Sequence, residues 1–211
     1  MRTRPRKKRD ASRHRRGMGT VTFNGLALAT APGRVMTPRA ASEQLVAAAC
    51  ARLAGRPSRV ADVGTGSGAI AVAIANVCPN VEVWATDISR SAVALARANV
   101  RRHGLEARVF VRHGDLLTPV PGPVDLIVAN LPYVAAWTAA RHPDLASEPT
   151  AAVFAAGDGL EAYRRLADAA TMQLADDGAL LLQLNRRIVE ASRSELPALR
   201  TALGNTVSAA A

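Results

Sequence analysis

The segment that most constrains this chain is Asp62-Val63-Gly64-Thr65-Gly66-Ser67-Gly68, where a short apolar strand runs directly into a helix of Ala, Val and Ile. Glycine lets the backbone turn tightly and approach a ligand with no Cβ in the way. A turn with no ligand rarely needs three glycines at alternate positions. Beyond it the pattern continues regularly. Strands are predicted at 59–63, 81–86, 108–112, 124–129 and 179–184, and helices at 69–77, 89–103, 160–174 and 188–203, the last weakened by Pro197. Ser89 caps the second of these helices and Gly104 stops it, while Asp158 and Glu161 pair as a capping box for the third. Apolar strands alternating with helices imply an α/β fold, a mostly parallel doubly wound sheet with both faces covered.

The GxGxG spacing narrows what the turn can hold. The dinucleotide fingerprint places its third glycine one residue later, and a phosphate loop ends in Gly-Lys-Ser/Thr. Both lysines, Lys7 and Lys8, lie far away near the N-terminus. The turn therefore suits an uncharged part of a ligand better than a pyrophosphate. Asp87 closes the second strand, where a carboxylate can accept both hydroxyls of a ribose. Asp115, in Gly114-Asp115-Leu116, ends the third and is placed to accept from an adenine amino group; a plain turn aspartate is the alternative. The fourth strand ends in Asn130-Leu131-Pro132-Tyr133. The Asn130 side-chain oxygen and the Leu131 carbonyl can accept the two hydrogens of a planar amide or amino nitrogen, and Tyr133 can cover that group by stacking.

Upstream, residues 21–35 suggest a short hairpin with turns at Asn24-Gly25 and Pro32-Gly33. Thr37-Pro38 supplies an N-cap and first-turn proline for a helix carrying Ala41, Leu45, Val46, Ala49 and Leu53 on one face and ending at Gly55. Composition matters most at the extreme N-terminus. The formal charge is +10, but residues 1–16 hold nine basic groups against Asp10, leaving only about +2 for the rest. Residues 1–19 read as a disordered basic tail, 20–56 as a hairpin and helix packed on the core, and 57–211 as the ligand-binding domain. Translation from Met18 is an equal alternative to a functional tail. If the tail is used, RNA or ribosome contact through residues 1–17 is expected. Cys50 and Cys78 have no metal-ligand spacing and read as two reduced thiols, and His103, His113 and His142 as surface or loop residues, so no metal is expected. No apolar run approaches a membrane span and no signal segment follows the tail, so no membrane partner and a cytoplasmic location are expected.

Together the glycine turn (Gly64, Thr65, Gly66, Ser67, Gly68), Asp87 and Asp115-Leu116 resemble the class I S-adenosylmethionine-dependent methyltransferases, which implies that fold and that cofactor. The order Met36-Thr37-Pro38-Arg39…Glu43, DVGTGSGAIAVAIA (62–75), Asp87, Gly114-Asp115-Leu116, Asn130–Tyr133 and Glu148-Pro149 followed by GDGLEAYRRL (157–166) resembles the bacterial release-factor glutamine methyltransferases. The resemblance implies that Gly64 to Gly68, Asp87 and Leu116 flank the cofactor, with Asn130 beside it. It also implies that Asn130, Leu131, Pro132 and Tyr133 hold a glutamine side chain of a release factor or ribosomal protein. Leu131 stands where that family has proline, and Asn-Leu-Pro-Tyr also occurs in rRNA adenine dimethyltransferases, which keeps an adenine amino group of RNA or DNA open as acceptor. The chain is expected to lack the family's helical N-terminal domain and clear sixth and seventh strands, and the family's acidic residue in the fifth strand appears as Gln183. The sheet is thus expected to be short at its C-terminal edge, with a non-catalytic cofactor- or RNA-binding protein as the reading from another class. The twenty-five residues from 134 to 158 read as a long lid-like connection in which Trp137 is a loop anchor.

Overall fold

The computed structural model describes residues 19–141, 145, 148–155 and 157–184. Strands β1 (Gly19–Phe23) and β2 (Leu26–Thr30) form an antiparallel hairpin. Asn24 and Gly25 both have positive φ, the two-residue turn whose twist matches the strands. Five strands then build one parallel sheet: β3 (Ser58–Val63), β4 (Val81–Asp87), β5 (Val109–His113), β6 (Val124–Ala129) and β9 (Leu174–Leu182). Their spatial order is β5-β4-β3-β6-β9. The chain moves outward from β3 through β4 to β5, then returns to the far side of β3 as β6. That reversal is a topological switch point, and it lies between the carboxyl ends of β3 and β6.

Strand alternation divides the core into two halves. Val60, Leu126, Val128 and Leu181 face α1 (Glu43–Leu53), α2 (Ala69–Val77) and α3 (Arg90–Arg102) on one side. Val63, Ile127, Leu180 and Leu182 face Tyr163, Leu166 and Ala170 of α5 (Glu161–Gln173) on the other. Helix α2 is nine residues long and has no side-chain cap, so alone it would be marginal. Burial of every residue from Ala69 to Ala75 holds it in place. The hairpin joins the first half of the core through Phe23 and Leu28, and Asn99 of α3 ties it down with hydrogen bonds to both N and O of Ala29.

Most elements lie where the sequence places them, and Ser89 caps α3 by accepting from the Ala92 amide. Several local expectations need correction. Helix α1 starts at Glu43 after a 3-10 turn at Ala40–Ser42, so Thr37-Pro38 is not its cap. Residues 36–39 instead wall the site described below, and Ala41 is exposed. Asp158 and Glu161 form no capping box: Asp158 accepts from the Leu160 amide and pairs with Arg164, while Leu160 is the N-cap of the helix and gives it no side-chain cap. The long connection is not featureless. It contains β7 (Val134–Ala135) paired in parallel with β8 (Phe154–Ala155), and the one-turn helix α4 (Thr150–Val153) between them. Trp137 is 74% exposed. Cys50 and Cys78 are both free thiols, Cys50 only partly buried. The basic tail, His142 and the predicted last helix lie outside the described residues, and so does the expectation of missing sixth and seventh strands.

Candidate active site

Strand register sets four residues in a row. Val63 pairs with Thr86 on one side and Ala129 on the other, and Ala129 pairs with Leu182. The residues that follow these four are Gly64, Asp87, Asn130 and Gln183, and all lie at the carboxyl edge of the sheet. Three cavities open along this edge. A crevice of about 210 Å³ is lined by Gly64, Gly66, Asp87, Asp115, Leu116 and Asn130, with Val35 and Ala152 among its walls. A smaller pocket of about 60 Å³ lies against Thr65, Ser67, Arg39 and Ser42. A third cavity, about 270 Å³, is lined by Tyr133, Arg39, Leu145 and Gln183. Asn130 lines all three.

The glycines do different work. Gly64 has φ +71°, and a Cβ there would sit 2.6 Å from Leu131 Cδ2, so this glycine lets the β3 and β6 turns approach each other. Gly66 (φ +57°) has only Val35 Cγ1 at 4.0 Å and leaves its side open to the crevice. Gly68 touches none of the cavities; its Cβ position is 3.1 Å from Ala96, so it serves close packing of the turn on α3. Asp62, silent in the sequence apart from its place before the glycines, is the hub of the turn. It is fully buried, and its Oδ2 accepts from Thr65 Oγ1 (2.6 Å) and from the Ala71 amide (3.1 Å). Burial pushes its carboxyl up to about 6, against the pull of those two hydrogen bonds.

Asp87 uses each carboxylate oxygen once in the fold, accepting from the Gly66 amide (2.9 Å) and the Ser89 amide (2.8 Å). It thereby fixes the turn and the start of α3 while each oxygen keeps a further lone pair. Burial raises its pKa, opposed by those two backbone donors and by His113. Leu116 adopts a left-handed backbone, φ +46°, a costly conformation held by Thr86 Oγ1 donating to its carbonyl at 2.8 Å. Asp115 pairs with Arg165 of α5, so its carboxylate is already partnered in this state.

On the acceptor side, Asn130 Nδ2 is 3.2 Å from Ser42 Oγ. The Tyr163 hydroxyl accepts from the Leu131 amide (3.0 Å) and lies 2.9 Å from the carbonyls of both Leu131 and Gln183. Its single proton serves one of these carbonyls at a time. The Leu131 carbonyl is therefore shared with the fold, a contact between distant segments that no local sequence signal marks. Tyr133 is half-buried, and burial raises its phenol pKa despite nearby Arg39. Gly159 (φ +91°) passes so close that a Cβ would lie 2.3 Å from the Tyr133 carbonyl oxygen. Glu148 holds the 36–39 segment: its Oε2 accepts from the Thr37 amide at 3.1 Å, and Arg39 stands 4.0 Å away. Among the described residues no cluster of three or more His, Cys, Asp or Glu could hold a metal ion.

Residues 40–147 match the family model described as "Methyltransferase small domain". The release factor glutamine methyltransferase of Bordetella pertussis is 42% identical over 183 residues, covering 85% of this chain and 67% of that protein. The chain belongs to this methyltransferase family. The Gloeobacter violaceus release factor glutamine methyltransferase is 40% identical over 79% of this chain and 59% of its own length. A ribosomal protein uL3 glutamine methyltransferase of Bradyrhizobium diazoefficiens is 41% identical over 67% of this chain and 46% of its own. The chain spans 54–64% of the length of the first three curated relatives it matches. Among solved structures, the hMettl16 catalytic domain superposes with TM-score 0.66 at 17% identity, over 82% of this chain and 67% of that one, and carries the likeness of fold. Ribosomal protein L11 methylase of Lactobacillus delbrueckii does so with TM-score 0.55 at 24% identity, over 79% and 70%. The family match takes in Gly64, Asp87 and Asn130 of the sheet edge.

Proposed function

We propose that this chain transfers a methyl group from S-adenosylmethionine to the side-chain amide nitrogen of a glutamine, in a release factor or a ribosomal protein. The observation that carries this reading is the position of Asn130, on the wall common to the crevice and the cavity beside it. The residues of the crevice fit the cofactor. Gly66 leaves a face free of side chain, Asp87 keeps spare lone pairs for hydroxyl donors, and Leu116 and Ile88 offer apolar surface. When bound there, the sulfonium supplies an activated methyl group.

The chain's own residues do the rest. An amide nitrogen is a poor nucleophile because its lone pair is delocalised, so orientation carries much of the rate. Asn130 Oδ1 accepts one acceptor N–H, and the Leu131 carbonyl accepts the other whenever the Tyr163 proton rests on Gln183. Pro132 restricts the backbone between Leu131 and Tyr133, and Tyr133 covers the planar group. Arg39 and Ser42 close the cavity on the side of α1, and Leu145 and Val153 keep water out. No strong base is needed, because the amide proton becomes acidic as the N–C bond forms.

The basic residues 1–17 add salt-dependent affinity for RNA or the ribosome in this reading. RNA retention that survives their removal would contradict it. Among the described residues no helix is long and apolar enough to cross a membrane. A translation substrate and two free thiols are consistent with the cytoplasm as the compartment.

The test is transfer of labelled methyl to a Gly-Gly-Gln release factor, with Asn130→Ala as the comparison. The expected result is turnover by the native sequence and its loss in Asn130→Ala, which still binds cofactor. Transfer to the adenine of an RNA instead would move the acceptor to a nucleobase, and binding without turnover on any acceptor would remove the enzyme reading.

A further inference from the structure

Asp115 lines the crevice two residues beyond the end of β5. The backbone around it is held on three sides. The Gly114 amide donates to the Asp87 carbonyl at 3.1 Å, the Thr118 amide donates to the Asp115 carbonyl at 3.1 Å, and Thr86 Oγ1 holds the Leu116 carbonyl. The carboxylate gets no such support from the turn. Its side chain is 43% exposed, and among the described residues its hydrogen bond comes from Arg165 of α5, to Oδ2. Oδ1 keeps its lone pairs free. Leu117 and Val120 of the same turn share one half of the core with Leu166, the neighbour of Arg165, so turn and helix are held at a set separation. An exposed ion pair of this kind contributes little to stability. The planar guanidinium can instead fix the rotation of the carboxylate it holds. Without it, each change of rotamer would move the carboxylate oxygens relative to the crevice. With Oδ2 taken, Oδ1 is the atom offered to a ligand. A carboxylate at neutral pH only accepts hydrogen bonds, so it suits a donor such as the exocyclic amino group of adenine. An oxygen in the place of that amino group would bring no donor and a like partial charge.

We infer that Arg165 is a positioning residue for the cofactor: by holding Asp115 Oδ2 it sets Oδ1 to accept from the adenine amino group. The crevice thereby selects adenine over a purine with an oxygen at that position. This rests on the S-adenosylmethionine reading of the crevice and on Asp115 meeting the base.

The experiment is calorimetric titration of the full chain with S-adenosylhomocysteine and with S-inosylhomocysteine, which carries an oxygen in place of the amino group. The native chain should prefer the adenosyl compound by about 10- to 100-fold, the range of one hydrogen bond to a charged group. Arg165→Met keeps an extended stem without the guanidinium, and should reduce that preference by about 3- to 10-fold through weaker binding of the adenosyl compound. Its melting temperature should stay within about 3 °C of the native value, because the pair is exposed. Arg165→Lys keeps the charge without the planar fork and should fall between the two. In an Asp115→Ala background, Arg165→Met should change the preference no further. An unchanged preference in Arg165→Met overturns the inference, and so does an equal loss in the Asp115→Ala background. Parallel loss of both ligands with a melting temperature lowered by more than about 5 °C marks a structural role and overturns it too. If Arg165→Met does not fold, Arg165→Lys decides: the native preference overturns the inference and a reduced one supports it. Equal binding of the two compounds by the native chain would instead remove the contact between Asp115 and the base, and binding of neither would remove the cofactor reading itself.

Discussion

Replacing Tyr163 with Phe takes away one oxygen atom from the centre of the molecule and leaves the ring packing in place. Tyr163 is 1% exposed, so water cannot enter to replace the lost group. The Leu131 amide loses its acceptor and is left buried, at a cost of roughly 1–3 kcal/mol. The carbonyls of Leu131 and Gln183 share a single proton, so on that side one hydrogen bond is lost, worth roughly 0.5–1.5 kcal/mol. The sum is about 2–4 kcal/mol. For a chain of this size each kcal/mol lowers the melting temperature by roughly 2–4 °C, so the variant should melt roughly 4–16 °C below the native protein. Calorimetric unfolding at pH 7 measures this, with the phenol protonated because burial pushes its pKa up. The same substitution loosens the Leu131 end of the acceptor segment, so the acceptor KM should rise while cofactor affinity is retained. A melting point within about 2 °C of the native value would refute the hydroxyl as the clamp between β6 and β9.

Three further outcomes follow from the same geometry. Gly159→Ala places a Cβ against the Tyr133 carbonyl, a backbone atom that no rotamer change can move; it should cost more than about 2 kcal/mol and weaken acceptor binding. Gly157→Ala, at φ +59° with open space around it, should cost only about 1–2 kcal/mol of backbone strain, and equal losses in denaturant unfolding would contradict the contact. Asp62 binds its proton more tightly in the folded state, about 6 against 3.8, so its contribution to stability falls as pH rises through that window, by about 3 kcal/mol in all. Asp62→Asn keeps an accepting oxygen and removes the titration, so native stability minus variant stability should drop between pH 4 and 7; a flat difference would show that the carboxyl is not desolvated. Glu148→Ala frees the Thr37 amide, which should exchange its hydrogen faster, and should weaken cofactor binding by about 5- to 10-fold, because residues 36–39 wall the crevice and its neighbour. Unchanged exchange at Thr37 would contradict the role of Glu148.

Much of this was legible because two signals are local and strong. The apolar strands and the glycine turn dictate a parallel α/β sheet, and the residues that end those strands are brought to one edge by register alone. Asp87 and Asn130 therefore fall beside the crevice as their spacing implied. What escaped the sequence reading depends on contacts between distant segments. Tyr163 reads as one apolar position on a helix face, and nothing local shows that its hydroxyl reaches Leu131 and Gln183. Asp62 looks like any strand-ending acid until its burial is known. Gly159 stands in a polar loop, and the need for a glycine there arises only from the approach of Tyr133. Thr37-Pro38 failed as a helix start because a strong local signal met a tertiary demand: Glu148 holds the Thr37 amide, and Glu43 accepts from the Asn24 amide at the hairpin turn. Gly68 was grouped with the ligand-facing glycines by spacing, whereas its approach to Ala96 is a packing requirement.

In the proposed function Asn130 and its neighbours present a glutamine amide to a methyl donor. Incubation of the native chain with S-adenosylmethionine and a release factor, followed by fragmentation mass spectrometry of the product, addresses it directly. The expected product carries a single added methyl on the side-chain nitrogen of the glutamine in Gly-Gly-Gln, absent with Asn130→Ala. A methyl found on another side chain, or on a nucleobase of copurified RNA with the glutamine unmodified, would contradict it.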